Sequence, residues 1–305
     1  MNASSNAVPQ SAVAAPANAA RDISAARRFS WCVKREFWEN RYLYLAPLGV
    51  AGVFLLGFLV SLVHLPQKIR AAGPTPMEQG VWFAHLYDLA ALALMASTFL
   101  VALFYSVEAL YGERRDRSIL FWKSMPVSDT MTVLSKASVP ILILPVLTFF
   151  ITFVLQCCML LVSSAVLLAS GHAGVLSHLS LGMRWTGLFW HLVAGHGLYY
   201  APIYGWLLLV SAWARRVPFL WAILPPFGIG VLERILFNTS HFASMLGARI
   251  GAGSDSGSSK ASDMAAMIQS SAGEYLVSPA FWIGLALTAI FLWAAVRLRR
   301  YRGPN

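Results

Sequence analysis

The sequence of 305 residues combines 58% hydrophobic residues with only 12% charged ones, and its mean hydropathy is +0.63. Soluble domains carry about 25% charged residues, so this composition excludes a soluble globular protein and predicts an integral membrane protein. A formal net charge of +10 does not indicate a nucleic-acid partner, because the basic residues collect beside apolar runs. Three cysteines, two of them adjacent within an apolar run (Cys157 and Cys158), cannot supply a disulfide framework.

The first residues, 1–26, are mostly small and polar without apolar periodicity, and we predict a disordered tail. The next segment, 27–41, is basic and aromatic. Its apolar residues follow one helical stripe, which holds Phe29, Cys32, Val33 and Phe37. This pattern predicts an interfacial helix on the inner leaflet, with Lys and Arg side chains reaching lipid phosphates. A solvated helical stub before the first membrane span is the alternative.

Six apolar runs are each long enough to cross a hydrocarbon core of about 30 Å. They predict membrane spans at about 43–64, 82–111, 139–169, 186–212, 219–237 and 279–296, within one transmembrane domain over 27–302. Pro140 and Pro145 predict a kink or an unwound turn at the start of the third span. Pro225 and Pro226 predict that the fifth span is broken or partly re-entrant. The polar stretch 238–278 is typical of a mobile outer loop, with a short helix over 264–271.

Lys and Arg residues are concentrated in four places: the N-terminal segment, the loop after the second span, the turn after the fourth span and the C-terminus. Cytoplasmic loops of membrane proteins carry such an excess. The fold expected from the sequence is therefore all-α, with six transmembrane helices and both termini in the cytoplasm.

The loop over 113–136, between the second and third spans, is the most densely charged internal segment. Charge of this density cannot lie in hydrocarbon, so the loop must face solvent. Between Arg117 and Lys123 it contains an apolar block, which consists of Ile119, Leu120, Phe121 and Trp122. Such a block needs a partner surface, either lipid headgroups or another protein. Ser128 and Asp129 then predict an N-cap and a helix that continues into the third span.

The run from Glu113 to Ser128, followed by Leu134–Lys136, resembles the first cytoplasmic loop of bacterial type-2 ATP-binding-cassette exporter permeases. The family commonly has Gly in the turn where this chain has Arg117 and Ser118. The resemblance implies that the loop forms a coupling helix, which docks on a separate ATPase subunit. The implied docking knob consists of Ile119, Leu120, Phe121 and Trp122. The implied polar rim consists of Glu113, Arg114, Arg115 and Asp116.

The resemblance also sets the expected partners. No phosphate-binding Gly-x-x-x-x-Gly-Lys-Ser/Thr motif occurs in the sequence, so the chain is not expected to be an enzyme by itself. ATP and Mg²⁺ are expected in the partner ATPase, with no cofactor in this chain. A second permease copy, as a homo- or heterodimer, and membrane lipids complete the expected partners. The expected location is the bacterial cytoplasmic (inner) membrane, and the cargo cannot be read from the sequence.

Polar residues inside the spans are candidates for a substrate path or gate, namely His85, Asp88, Tyr199, Tyr200 and Glu233. His85 and Asp88 lie one helical turn apart, where they could pair, gate substrate or reach the outer interface. Tyr199 and Tyr200 line a cavity or anchor an interface. Glu233 pairs locally with Arg234 or lines the outer vestibule. Glu108, at the inner end of the second span, is expected to bond to arginines of the N-terminal helix or the loop.

Two histidines of the fourth span suggest a different function. His191 and His196 are five residues apart, which places them about 140° apart around an α-helix. A metal site is therefore not expected. A multi-pass membrane enzyme acting on lipids would use these histidines and Asp88 as acid–base groups, and it needs all three at one depth. A non-transporting membrane sensor or assembly factor is the third possibility.

Overall fold

The computed structural model describes residues 24–124, 127–171, 174–177, 181–250 and 276–301. Within these ranges the chain is almost entirely helical and contains no strand, which confirms the all-α class. Most of the predicted tail and the predicted helix over 264–271 lie outside the described residues. The first described helix begins at Ala25, and the Ser24 side chain caps it by accepting a hydrogen bond from the Arg27 N–H.

The described helices are numbered here in chain order. The first seven are α1 (Ala25–Glu39), α2 (Tyr42–Ser61), α3 (Leu65–Ala72), α4 (Pro76–Glu108), α5 (Tyr111–Arg115), α6 (Ser118–Ser124) and α7 (Asp129–Ser138). The next seven are α8 (Leu144–Ala169), α9 (Gly174–Ser177), α10 (Leu181–Trp190), α11 (Ala201–Trp213), α12 (Pro218–Phe237), α13 (His241–Ile250) and α14 (Pro279–Tyr301). A 3₁₀ turn (Leu62–His64) joins α2 to α3. The π-helical segment Val139–Ile143 joins α7 to α8. A second π-helical segment, His191–Tyr199, follows α10.

Five helical stretches of the described chain are long and apolar enough to cross a membrane, which fits a multi-pass membrane protein. They are Tyr42–His64, Pro76–Arg115, Asp129–Ala169, Pro218–Phe237 and Pro279–Tyr301. These stretches correspond to five of the six predicted spans. The fourth predicted span, about 186–212, differs because it is divided into α10, a π-helical segment and the shorter apolar helix Ala201–Trp213.

The break predicted for the fifth span is wrong, because α12 runs continuously from Pro218 to Phe237. In an α-helix, the N–H of residue 226 would bond the carbonyl of Ala222, and proline has no N–H. The indole Nε1–H of Trp206 donates to that Ala222 carbonyl at 3.0 Å instead. A neighbouring helix therefore satisfies a carbonyl that the proline leaves open, as membrane helices allow.

Helix α4 lies at the centre of the bundle, against α2, α8 and α11. Its face toward α2 and α8 forms a core with Phe83, Tyr87, Leu94, Leu155 and Met159, all buried. Lipid tails are as apolar as these side chains, so close van der Waals contact stabilises such packing more than removal from water. In contrast, α12 buries few of its side chains within the chain.

The two π-helical segments touch each other at Gly197. A Cβ built on Gly197 would lie 2.2 Å from the carbonyl oxygen of Ile141, so only glycine permits this approach. The α-helical partner of the Ile141 carbonyl would be the N–H of Pro145, which proline lacks. At the start of the third predicted span, where Pro140 and Pro145 predict a kink or an unwound turn, the backbone forms the π-helical segment Val139–Ile143 instead.

Candidate functional site

Six charged side chains from four helices meet at one end of the bundle. This charge cluster consists of Arg35 and Glu36 of α1, Glu113 of α5, Asp129 and Lys136 of α7, and Arg299 of α14. Among these six side chains three carboxylates face three cations, and the half-exposed Glu39 also lies 3.4 Å from Arg35 at the edge of the cluster. We call this end of the molecule the cluster end.

Glu113 lies at the centre of the charge cluster. Its Oε1 is 2.9 Å from the Nη2 of Arg35 and 3.2 Å from the Nζ of Lys136. Its Oε2 accepts a hydrogen bond of 2.5 Å from the Nη1 of Arg299. The Nε of Arg299 also lies 3.1 Å from the Oδ1 of Asp129. One carboxylate of the loop is thus tied to the N-terminal helix, to the start of the third span and to the last helix.

Glu36 is the second buried carboxylate of the cluster. Its Oε1 lies 2.9 Å from the Nζ of Lys136 and 2.8 Å from the Nη2 of Arg35. The hydroxyl of Tyr105 on α4 donates to its Oε2 at 2.9 Å. Glu36 is 0% exposed and Glu113 only 7% exposed. Carboxylates at such depth are tolerated only because cations and hydrogen bonds replace their water.

The electrostatics of α1 follow from the same contacts. Burial acts to lower the pKa of the Arg35 guanidinium, but neighbouring carboxylates, first that of Glu36, outweigh burial and raise this pKa. Burial raises the pKa of the Glu39 carboxyl, and the charge of Arg35, 3.4 Å away, offsets only part of that rise. These contacts therefore favour the charged form of Arg35 in the cluster.

Two residues predicted for a polar rim are instead inside the molecule. Glu113 belongs to the charge cluster, and Arg114 is also buried. The Nη2 of Arg114 donates to the carbonyls of Ser211 and Ala214 at 2.7 and 2.6 Å, which caps the end of α11. Their side chains cannot border an exposed surface, so the predicted rim keeps only Arg115 and Asp116, both exposed.

The residues of the predicted apolar knob lie on two different faces of α6, one that packs inward and one that is exposed. Ile119 is 1% exposed and packs inward, whereas Leu120 and Phe121 are 57% and 60% exposed. Trp122 is half-buried, and the guanidinium of Arg35 lies 3.8 Å from its ring centroid. The loop surface, as we name it, therefore consists of Arg115, Asp116, Leu120 and Phe121.

The turn between α5 and α6 needs a left-handed residue. Arg117 has φ 59°, a conformation that residues other than Gly, Asn and Asp rarely adopt. This is the position where the resembled family commonly has Gly. Next to the turn, Arg115 bonds Glu108 at 2.8 Å, which confirms the expected partner of Glu108.

Asp88 pairs with a residue that the sequence did not suggest. The Nη1 of Arg184 on α10 lies 2.6 Å from the Oδ1 of Asp88 and 2.8 Å from its Oδ2. His85, the partner considered from the sequence, is exposed. The pair ties α4 to α10, so Asp88 has a structural partner in this conformation.

The expected 140° separation of the two histidines is wrong, because it assumes an α-helix and the segment that holds them is π-helical. His191 and His196 lie in a π-helical segment, and their ring centroids are 5.7 Å apart. A π-helix bonds i to i+5, which brings residues of that spacing to one face. No group of three metal-ligating side chains occurs among the described residues.

The three groups of the alternative enzyme do not lie at one depth. The ring of His196 contacts that of Phe99 on α4, with centroids 6.3 Å apart. Phe99 is eleven residues from Asp88 along that helix, which corresponds to about 16 Å. Asp88 is therefore separated from the histidine pair along the bundle and is already paired with Arg184.

The remaining candidates for a substrate path have local partners. The carbonyl of Tyr199 accepts from Arg249 of α13 at 3.0 Å, and the guanidinium lies 4.7 Å from the Tyr199 ring centroid. The Tyr200 ring packs on Phe99 at 5.2 Å. Glu233 accepts from the backbone N–H groups of His241 and Phe242 at 2.7 and 2.8 Å, so it caps α13.

Sequence reasoning missed most of the charge cluster. One signal was present: Glu36 lies on the apolar stripe of α1, between Val33 and Phe37, where a charged residue must become buried with a partner. In the sequence, Lys136 and Arg299 resemble the other basic residues of their segments. Only the fold brings these residues together.

Comparison of the chain with family models, curated proteins and solved structures gives no match.

Proposed function

We propose that this chain is the transmembrane permease subunit of an ATP-driven ATP-binding-cassette exporter in the bacterial cytoplasmic membrane. Two permease copies, identical or related, work with two separate ATPase subunits that bind ATP and Mg²⁺. The cluster end faces the cytoplasm, and the stretch 181–213 crosses the membrane as the fourth of six spans. The sequence of the loop over 113–136 and its position between two spans support this proposal.

The observation that carries the proposal is the contrast between the two sides of the loop. Its inner side is tied down by Glu113 and Arg114, and its outer side presents Leu120 and Phe121 to solvent. An exposed aliphatic–aromatic pair on a charged, solvent-facing loop favours a protein partner, which buries apolar side chains at the centre of an interface with a polar rim. Arg115 and Asp116 lie beside the pair as such a rim.

The charge cluster explains how a small loop can move several spans together. A force applied to Phe121 passes along α6 and α5 to Glu113. From Glu113 it reaches α7, which continues into the third span, and α14, the last span. It also reaches α1 through Arg35. Buried ion pairs transmit such displacements because breaking them leaves uncompensated charges.

ATP hydrolysis by the purified complex tests the proposal. The chain is isolated from its native membrane with its bound subunits, in wild-type form and as Phe121→Asp. We expect the substitution to abolish bound ATPase activity, because a carboxylate in the interface core leaves an unpaired charge. Phe121→Leu should retain the activity.

Val217→Asp is the matched control. Val217 is also an exposed apolar residue, 54% exposed, in the turn that follows the α11 end capped by Arg114. The proposal expects normal ATPase activity for this variant. Equal activity in Phe121→Asp and wild-type preparations, or equal loss in both aspartate variants, would contradict a docking role for the loop surface.

A further inference from the structure

An open apolar groove runs along α2 close to the cluster end. Its volume is about 490 Å³, and the residues of α2 that line it are Leu45, Ala46, Gly49, Val50, Val53 and Phe54, opposite Ala93 of α4. From Leu45 to Val53 the groove extends about 12 Å along the helix axis. A Cβ on Gly49 would meet no atom within 4 Å, so the groove is open at its middle.

The groove begins one helical turn after an exposed cation. Arg41 precedes α2, is exposed, and makes no side-chain capping bond to the helix. Residues 41, 45, 49 and 53 repeat every four positions, so they follow one side of the helix. A cation at the end of an apolar groove matches a molecule with an anionic head and an apolar tail.

The exposed face of α1 adds charge and aromatic rings next to Arg41. Arg27, Trp31, Lys34 and Trp38 are all exposed and repeat at helical spacing, on the side away from buried Glu36. The Nζ of Lys34 lies 5.5 Å from the Trp31 ring centroid. Tryptophans prefer the headgroup level of a membrane, and Lys and Arg side chains reach lipid phosphates. This combination favours a lipid surface over a soluble partner.

We propose that the junction of α1 and α2 is a binding site for an anionic phospholipid of the leaflet at the cluster end. Arg41 holds the phosphate of the headgroup, the cations of α1 add to its attraction, and the groove from Leu45 to Val53 holds one acyl chain. Arg41 and the groove affect lipid binding in different ways. All lipid tails are equally apolar, so the groove sets how long a lipid stays, and Arg41 sets which headgroup is preferred. The inference does not depend on the proposed transport function.

Two substitutions test the headgroup contact of Arg41 and the acyl-chain groove separately. The full-length chain is reconstituted in nanodiscs of equal phosphatidylglycerol and phosphatidylcholine, extracted into detergent, and its retained lipids are counted by native mass spectrometry. We expect Arg41→Gln to lower the ratio of retained phosphatidylglycerol to phosphatidylcholine about fivefold, the effect of one cation at an anionic surface. We expect Gly49→Leu, which fills the groove, to lower retention of both lipids by about tenfold.

Each variant has a matched control. Lys68→Gln removes one exposed cation beyond the other end of α2, and Gly57→Leu enlarges a second open glycine of α2 outside the groove. Both controls should retain lipid as the wild type does. An unchanged lipid ratio in Arg41→Gln, or full retention in Gly49→Leu, overturns the proposal. A change in oligomeric state on size exclusion in Gly49→Leu also overturns it, because the groove would then belong to a contact between copies.

Discussion

Neutralising Glu113 should destabilise the protein far more than a chemically identical change nearby. In Glu113→Gln, the charge cluster retains three cations but only two carboxylates. Each cation keeps a carboxylate contact, but Arg35 and Lys136 must then share Glu36, so the cluster carries one uncompensated positive charge. Removing one member of a buried ion pair costs about 3–5 kcal/mol. Because Glu113 is only 7% exposed, solvent cannot compensate the remaining cations.

The matched control is Glu108→Gln, five residues earlier in the chain. Glu108 bonds Arg115 at 2.8 Å, and both side chains are about half exposed. An exposed pair of this kind contributes about 0–1 kcal/mol. The assay is equilibrium unfolding of the full chain in mixed detergent micelles, with circular dichroism as the signal that reports unfolding.

A second substitution tests whether charge balance is the cause. In Glu113→Gln with Lys136→Met, two carboxylates and two cations remain, and Arg35–Glu36 and Arg299–Asp129 still pair. The double variant should therefore be less destabilised than the sum of the two single variants, by about 1–3 kcal/mol. If Glu113→Gln and Glu108→Gln unfold at the same point, or if the two single effects simply add, the reasoning about the charge cluster is refuted.

Three further substitutions test the backbone and packing. Arg117→Gly should stabilise the protein by about 1 kcal/mol in the same unfolding assay, because glycine adopts φ 59° without strain; no gain would exclude strain at this turn. Gly197→Ala should lower the free energy of unfolding by at least about 1–3 kcal/mol, because its Cβ would overlap a backbone carbonyl. The control Gly52→Ala, where the space is open, should be neutral or stabilising. Equal effects of the two substitutions would contradict the close contact at Gly197. Trp206→Phe should cost about 1–3 kcal/mol by leaving a buried carbonyl of α12 without its donor, and an unchanged stability would mean that this hydrogen bond is dispensable.

The membrane-spanning helices were predictable because hydropathy is a local property of the sequence. Five of the predicted spans correspond to long apolar helices. Helix boundaries differ from the predicted ones where capping residues determine the first residue of the helix. Helix α4 begins at Pro76, six residues before the predicted start, because Thr75 and Glu78 form a capping box. The loop over 113–136 was also recognisable, since dense charge between two apolar runs is readable without a structure.

Local patterns could not predict the pairing across the fold. Asp88 and Arg184 are far apart in sequence, and the members of the charge cluster come from both ends of the chain. The angle between two residues was calculated for an α-helix, so it could not predict the π-helical segment that brings His191 and His196 together. The burial of Glu113 and Arg114 follows from contacts with other helices, and their sequence reads as an exposed charged run.

The most direct test of the account is to identify what touches Phe121. A photo-crosslinking amino acid is placed at residue 121 of the full-length chain in its native membrane, with residue 217 as the matched exposed position, and the crosslinked products are identified by mass spectrometry. We expect residue 121 to crosslink to a subunit with a phosphate-binding Gly-x-x-x-x-Gly-Lys-Ser/Thr motif, and residue 217 to crosslink to it weakly or not at all. Crosslinks from residue 121 only to lipid, or to a protein without that motif, would contradict the claim that this loop connects the membrane helices to an ATPase.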